Sequence, residues 1–214
     1  MEEKPDIKKI GLGIFLGTVV LAGIVYSGYL YSQKNGSKLA SPSSAGGEDS
    51  SLKENPPTAP VRFTAPADTP WVTFKGEAYP YSFSYPETLS LQRFISPLDG
   101  VGISWGNLDP KFNMLLDVQN VAERGTEYVG KIQDYVNVWW KAYSGLTGIK
   151  SIEKFVNKNG LTGYKAVYIN KAGQTPNVDI FFEVPNDPKL VIHLANGILD
   201  PEIFDRIVNS VNYK

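Results

Sequence analysis

Hydrophobic and polar positions divide the chain into three regimes. From Ile10 to Gln33 no residue is charged, and as a helix Ile10–Tyr31 would measure about 33 Å, enough to cross a hydrocarbon core of about 30 Å. From Gln33 to Pro70 the apolar period disappears, and Pro42, Pro56, Pro57, Pro60, Pro66 and Pro70 are spread among Ser, Ala and Gly, which predicts a flexible linker reaching about 35 Å. From Trp71 onward short apolar runs alternate with Pro, Gly, Asn and Asp. Tyr81-Ser82-Phe83-Ser84-Tyr85 has a period of two and stops at Pro86; Leu89–Ile95, Val101–Trp105 and Met114–Val121 are further strand candidates.

Two hairpins follow. One joins Ile152–Val156 to Tyr164–Ile169, with Asn159-Gly160 between them as a tight turn of positive φ; the other joins Val178–Val184 to Leu190–Leu194 through Pro185-Asn186-Asp187-Pro188. Helical spacing relates Ile132, Val136, Trp139, Trp140 and Tyr143. A last helix is predicted from Asp200 as N-cap, Pro201 in the first turn and the stripe Ile203, Phe204, Ile207, Val208 and Val211. Several strands, a helix, a four-strand meander and a C-terminal helix predict an antiparallel α+β domain.

The expected division is a cytoplasmic N-terminus over 1–9, a transmembrane helix over 10–32, a disordered Pro/Ser/Ala-rich linker over 33–70 and a globular domain over 71–214. Lys8 and Lys9 bound one end of the apolar run and Tyr26, Tyr29 and Tyr31 the other. The run is longer than a signal-peptide core, and bulky tyrosines stand where a cleavage site needs small residues, so a retained single-pass signal anchor is expected. Lys4, Lys8 and Lys9 with the amino terminus outnumber Lys34 and Lys38, which favours the N-terminus inside and the domain extracytoplasmic, at the cell membrane. Gly13 and Gly17 form a G-x-x-x-G face that permits close helix contact and weak self-association, although glycine is common in such helices.

Charge narrows the partners. Net charge is -1, and Trp71–Lys214 carries 14 basic against 15 acidic residues, so the totals exclude a general field for nucleic acid. The absence of cysteine removes disulfides, thiolate metal sites and a Cys nucleophile. His193 is the single histidine, on the face of its strand opposite Ile192 and Leu194, and reads as structural. Asp99, Asp109, Asp117, Glu127 and Asp134 form neither a calcium-loop pattern nor an acid/base pair; Asp109 before Pro110 reads as an Asx turn. No phosphate-cradling loop or nucleophile elbow occurs in the domain, and no cofactor is expected. Trp139 and Trp140 are about 100° apart on a helix, so one face cannot bury both rings equally. Trp139, Trp140 and Tyr143 are the candidate partner or ligand surface, against the alternative that all three simply cover the sheet.

Tyr81-Ser82-Phe83-Ser84-Tyr85-Pro86-Glu87 and Ile203-Phe204 through Ile207-Val208-Asn209-Ser210-Val211 resemble the two ends of the PsbP-like domain of the Mog1/PsbP superfamily. Leu89 lies where that family often carries Trp. The resemblance implies an α/β/α sandwich around a central antiparallel sheet, and members that are largely assembly, accessory or binding proteins. The expectation is therefore a non-enzymatic, membrane-anchored module that binds a protein partner in a cell-envelope complex. The alternatives are a small-ligand or sensory domain with a closed apolar pocket, and a hydrolase with a cleft of perturbed acids.

Overall fold

The computed structural model describes residues 62–95, 99–171 and 177–214. The expected transmembrane helix, with Gly13 and Gly17, and the linker up to residue 61 lie outside them. Among the described residues no helix is long and apolar enough to cross a membrane.

Among the described residues, ten strands and two α-helices build an antiparallel α+β domain. β1 (Trp71–Lys75), β2 (Tyr81–Pro86) and β10 (Asn212–Tyr213) form a three-stranded sheet in the order β1-β2-β10. The remaining strands are β3 (Leu91–Phe94), β4 (Gly100–Ile103), β5 (Met114–Asn120), β6 (Leu146–Val156), β7 (Thr162–Asn170), β8 (Asn177–Glu183) and β9 (Leu190–Ala195). They form a seven-stranded sheet ordered β3-β4-β5-β9-β8-β7-β6, antiparallel throughout. The meander β6 to β9 matches the predicted order. The seven-stranded sheet is the expected central antiparallel sheet, and β2 pairs with β1 and β10 in a second, smaller sheet rather than joining it.

Alternation gives the large sheet two different faces. Ile180, Phe182, Ile192 and Leu194 pack with Tyr81 and Phe83 of the small sheet and with α2 (Pro201–Ser210). Asp200 caps α2 by accepting from the Glu202 amide at 2.9 Å, and Ile203, Phe204, Ile207 and Val208 are buried, worth roughly 1.5–3 kcal/mol each against exposure. The opposite face, with Phe181, Val191, Ala166 and Tyr168, packs against α1 (Ile132–Trp139). α1 stops at eight residues and tightens into a 3-10 turn over Trp140–Ala142, so Trp140 and Tyr143 belong to the exit from the helix rather than to its apolar stripe. Asp109 makes the expected Asx turn, accepting from the Lys111 amide at 2.9 Å.

Two boundaries differ from expectation. The Phe63 amide donates to Ile198 O at 2.8 Å and the Asp200 amide to Phe63 O at 3.0 Å, and Phe63 and Ala65 pack on the core. Folded structure therefore starts upstream of Trp71. The β6–β7 connection is a five-residue loop, 157–161, rather than a two-residue turn at Asn159-Gly160. Gly160 has φ of 83°, whereas Asn159 is not in the left-handed region. The loop is organised by buried Asn157, whose Oδ1 accepts from the Asn159 and Leu161 amides at 3.0 Å while Nδ2 donates to Val208 O at 3.2 Å and Val211 O at 2.7 Å. One side chain thus closes the hairpin and ties it to the end of α2. Asn157→Ala strands these backbone groups and should lower stability by about 2–3 kcal/mol in urea unfolding; an unchanged midpoint would show that the link is not holding the hairpin.

Candidate functional site

On the α1 face, register brings together three polar side chains from strands that are otherwise apolar. Asp117 of β5 lies directly opposite His193 of β9, and Phe181 of β8 opposite it on the other side; Asp179 is the diagonal neighbour along β8. All three polar residues are buried. His193 Nδ1 is 2.7 Å from Asp117 Oδ1 and Nε2 is 2.9 Å from Asp179 Oδ1. The imidazole packs against the rings of both Trp139 and Phe181, each with its centroid 4.8 Å away, and those two rings also meet edge to face at 5.4 Å.

The donor inventory orients the network. Indole Nε1 can only donate, so Trp139 donates to Gln119 Oε1 at 3.1 Å, and the Tyr135 hydroxyl donates to the same oxygen at 2.6 Å. Burial first of all pushes the Tyr135 hydroxyl pKa up and keeps it a donor. The Gln119 amide nitrogen then donates to Asp117 Oδ2 at 2.7 Å. Asp117 is an acceptor on both oxygens, and His193 Nδ1 must carry the proton between them. Gln119 Nε2, 3.3 Å from Nδ1, is a close neighbour and not a partner, since both atoms donate.

Burial alone disfavours the imidazolium, but Asp117 and then Asp179 outweigh it and raise the His193 pKa from 6.5 to about 9. Burial raises Asp179 as well, against the pull of His193. At neutral pH His193 is therefore a cation donating from both nitrogens. Neither nitrogen keeps a lone pair free to accept a substrate proton or ligate a metal, and the arrangement acts as an ion clamp across β5, β9 and β8. Among the described residues no group of three or more His, Cys, Asp or Glu is arranged to hold a metal.

No family model and no curated protein matches the chain. Among solved structures, the chain is similar to cyanobacterial PsbP (CyanoP) from Synechocystis sp. PCC 6803, determined in solution. The identity is 12%, the match covers 76% of this chain and 99% of that one, and the TM-score is 0.43.

The three aromatic candidates separate. Trp139 is 5% exposed and lies over the clamp, stacking on Tyr168 at 5.4 Å. Tyr143 is half-buried with its ring 4.1 Å from that of Trp139, and Arg124 donates to Trp139 O at 2.9 Å with its guanidinium beside the Tyr143 ring. Trp140 is half-buried, its Nε1 donating to Asn137 O at 3.1 Å. Asp117 is thus in an acid–base pair after all, while Glu127 and Asp134 are exposed and Asp99 is buried elsewhere, accepting from the amides of Ala78 and Tyr79 at 3.1 Å. Asp179, Gln119 and Tyr135 went unread. Of these, only Asp179 carried a signal, as a lone carboxylate interrupting the apolar run Val178–Phe182.

Linkage fixes the sign of the pH dependence. His193 titrates near 6.5 when unfolded and near 9 when folded, so its stabilisation is complete below 6.5 and is lost as pH rises through about 9; the upward shift of Asp179 acts in the same direction. The urea midpoint should fall across that window, and Asp117→Asn should flatten the fall. A wild-type midpoint independent of pH over this range would refute the charged clamp.

Proposed function

We propose that this chain is a membrane-tethered, extracytoplasmic binding module that serves as a non-enzymatic accessory to a protein complex of the cell envelope. The observation that carries the reading is the complete internal commitment of the clamp. His193 spends both nitrogens on Asp117 and Asp179, Gln119 spends its amide on Asp117, Tyr135 and Trp139, and the result fixes Trp139 from below. Tyr143 packs at a tilt against that fixed indole, with Arg124 and Trp140 at its margin. Rigid aromatic rings beside an arginine are the residue types that anchor protein interfaces.

Two surface depressions, about 230 and 350 Å³ in volume, lie elsewhere, the larger lined by Gly130, Ile132, Glu183 and Pro188 among others. Neither reaches His193, which favours a partner surface over the small-ligand alternative. The uncharged run from Ile10 to Gln33 supports the tether, and its flanking lysines support the orientation.

A photo-reactive amino acid in place of Trp140 should crosslink the full chain to a discrete protein in native membranes, and Tyr143→Ala should reduce the yield at least about fivefold. Crosslinks confined to lipid and to copies of this chain would count against a protein partner.

A further inference from the structure

The near-neutral totals conceal a strong separation of charge. Between Lys141 and Lys171 the chain has six lysines and one acidic residue, Glu153, whereas the rest of Trp71–Lys214 has eight basic and fourteen acidic residues. This cationic segment is the end of α1's exit turn followed by the β6–β7 hairpin, which forms one edge of the seven-stranded sheet. Glu153 lies opposite Lys165 in the β6–β7 register and is balanced by it on the α2 face. Lys141, Lys150, Lys154, Lys158 and Lys171 are exposed, and none of the five forms an ion pair among the described residues.

Cationic and apolar positions alternate along this edge. Ile152 packs toward the α1 face and the Lys154 ammonium lies 5.6 Å from the Tyr164 ring centre on that face, so by period two Ile152, Lys154 and Val156 form one row. Val156 is 63% exposed at the end of the row, beside Lys158 in the loop. On β7, Ile169 is 47% exposed toward the other end of the hairpin, near Lys171. By the same alternation it lies on the opposite face, so aliphatic side chains flank the edge on both sides. A strand of eleven residues is roughly 36 Å long, so this is an extended strip of ammonium groups interleaved with aliphatic side chains.

We propose that the β6–β7 edge docks on the surface of a bilayer rich in anionic phospholipid. Such a surface offers negative headgroups and an apolar layer just beneath, matching both components of the strip at once. An added acidic peptide strand fits less well, because β6 has register breaks at Leu146/Gly148 and Ile149/Ser151 that interrupt a continuous ladder. The inference rests on the tethered reading for its proximity: 29 residues, 33–61, separate the apolar run from the first described residue and span about 30 Å as a coil. That is comparable to the diameter of a domain whose radius of gyration is about 15 Å, so the edge can lie against the membrane that holds the anchor.

The chain has no cysteine, so Val156→Cys provides a single labelling position on the full protein. With an environment-sensitive fluorophore there, the protein is reconstituted in bilayers of phosphatidylcholine alone or with about a third phosphatidylglycerol. A blue shift in the anionic bilayer only, reversed by about 0.5 M salt, is expected. Lys150→Glu/Lys154→Glu/Lys158→Glu should weaken docking on the order of a hundredfold, at roughly fivefold per lysine, while Lys75→Glu/Lys131→Glu/Lys189→Glu, outside the strip, leaves it unchanged. No shift, the same shift in both lipids, equal loss in both triple variants, or a response to poly-glutamate but not to anionic lipid would each overturn the proposal. Vesicle flotation separates the two readings. Loss of the protein from neutral vesicles would refute the anchor, whereas retention by anionic vesicles alone, abolished in the first triple variant, would still support the hairpin.

Discussion

The domain is organised around one buried cation. His193 stands between Asp117 and Asp179, and each of the three is tolerable inside the protein only because the others are there. Remove the imidazolium and two carboxylates face one another across β9. Remove Asp117 and the donors of His193 and Gln119 lose their acceptor, which in turn loosens the amide that holds Tyr135 and Trp139. The chain of dependence runs from strand register to helix placement: β5 and β8 flank β9 at the one offset that closes the clamp, and Gln119 carries that offset up to α1.

This constraint makes the two faces of the large sheet different materials. The α2 face is aliphatic and aromatic, sealed by the small sheet and by Asn157 at the hairpin loop. The α1 face is a polar network under aromatic rings, covered by only two turns of helix and a 3-10 turn. A short helix leaves the outer strand β6 partly uncovered, and there the lysines collect. Rigidity at Trp139 and exposed charge at β6 therefore have a common origin in how little of the face α1 spans.

Local patterns were legible before the fold was known. Period two marked β2, an N-cap and an apolar stripe marked α2, and the four-strand meander followed from two hairpin signals. The hairpin loop was misread because Asn-Gly is the usual tight turn, whereas here Asn157, two residues earlier, bonds across to α2 and stretches the connection to five residues. The clamp was unreadable for a different reason. Asp117 and His193 are 76 positions apart and meet only through β5–β9 register, so a lone histidine in Val-Ile-His-Leu looked like a packed side chain with no acid nearby. The charge strip was hidden by summation, since a domain total near zero says nothing of where each sign resides.

Because the chain has one histidine, its side-chain nitrogens can be observed without ambiguity. The direct test is a pH titration of the His193 Nδ1 and Nε2 resonances in the folded protein by ¹⁵N NMR. The account predicts imidazolium shifts on both nitrogens at neutral pH, with deprotonation only on approach to about 9. A neutral tautomer at pH 7, with one nitrogen unprotonated, would contradict it.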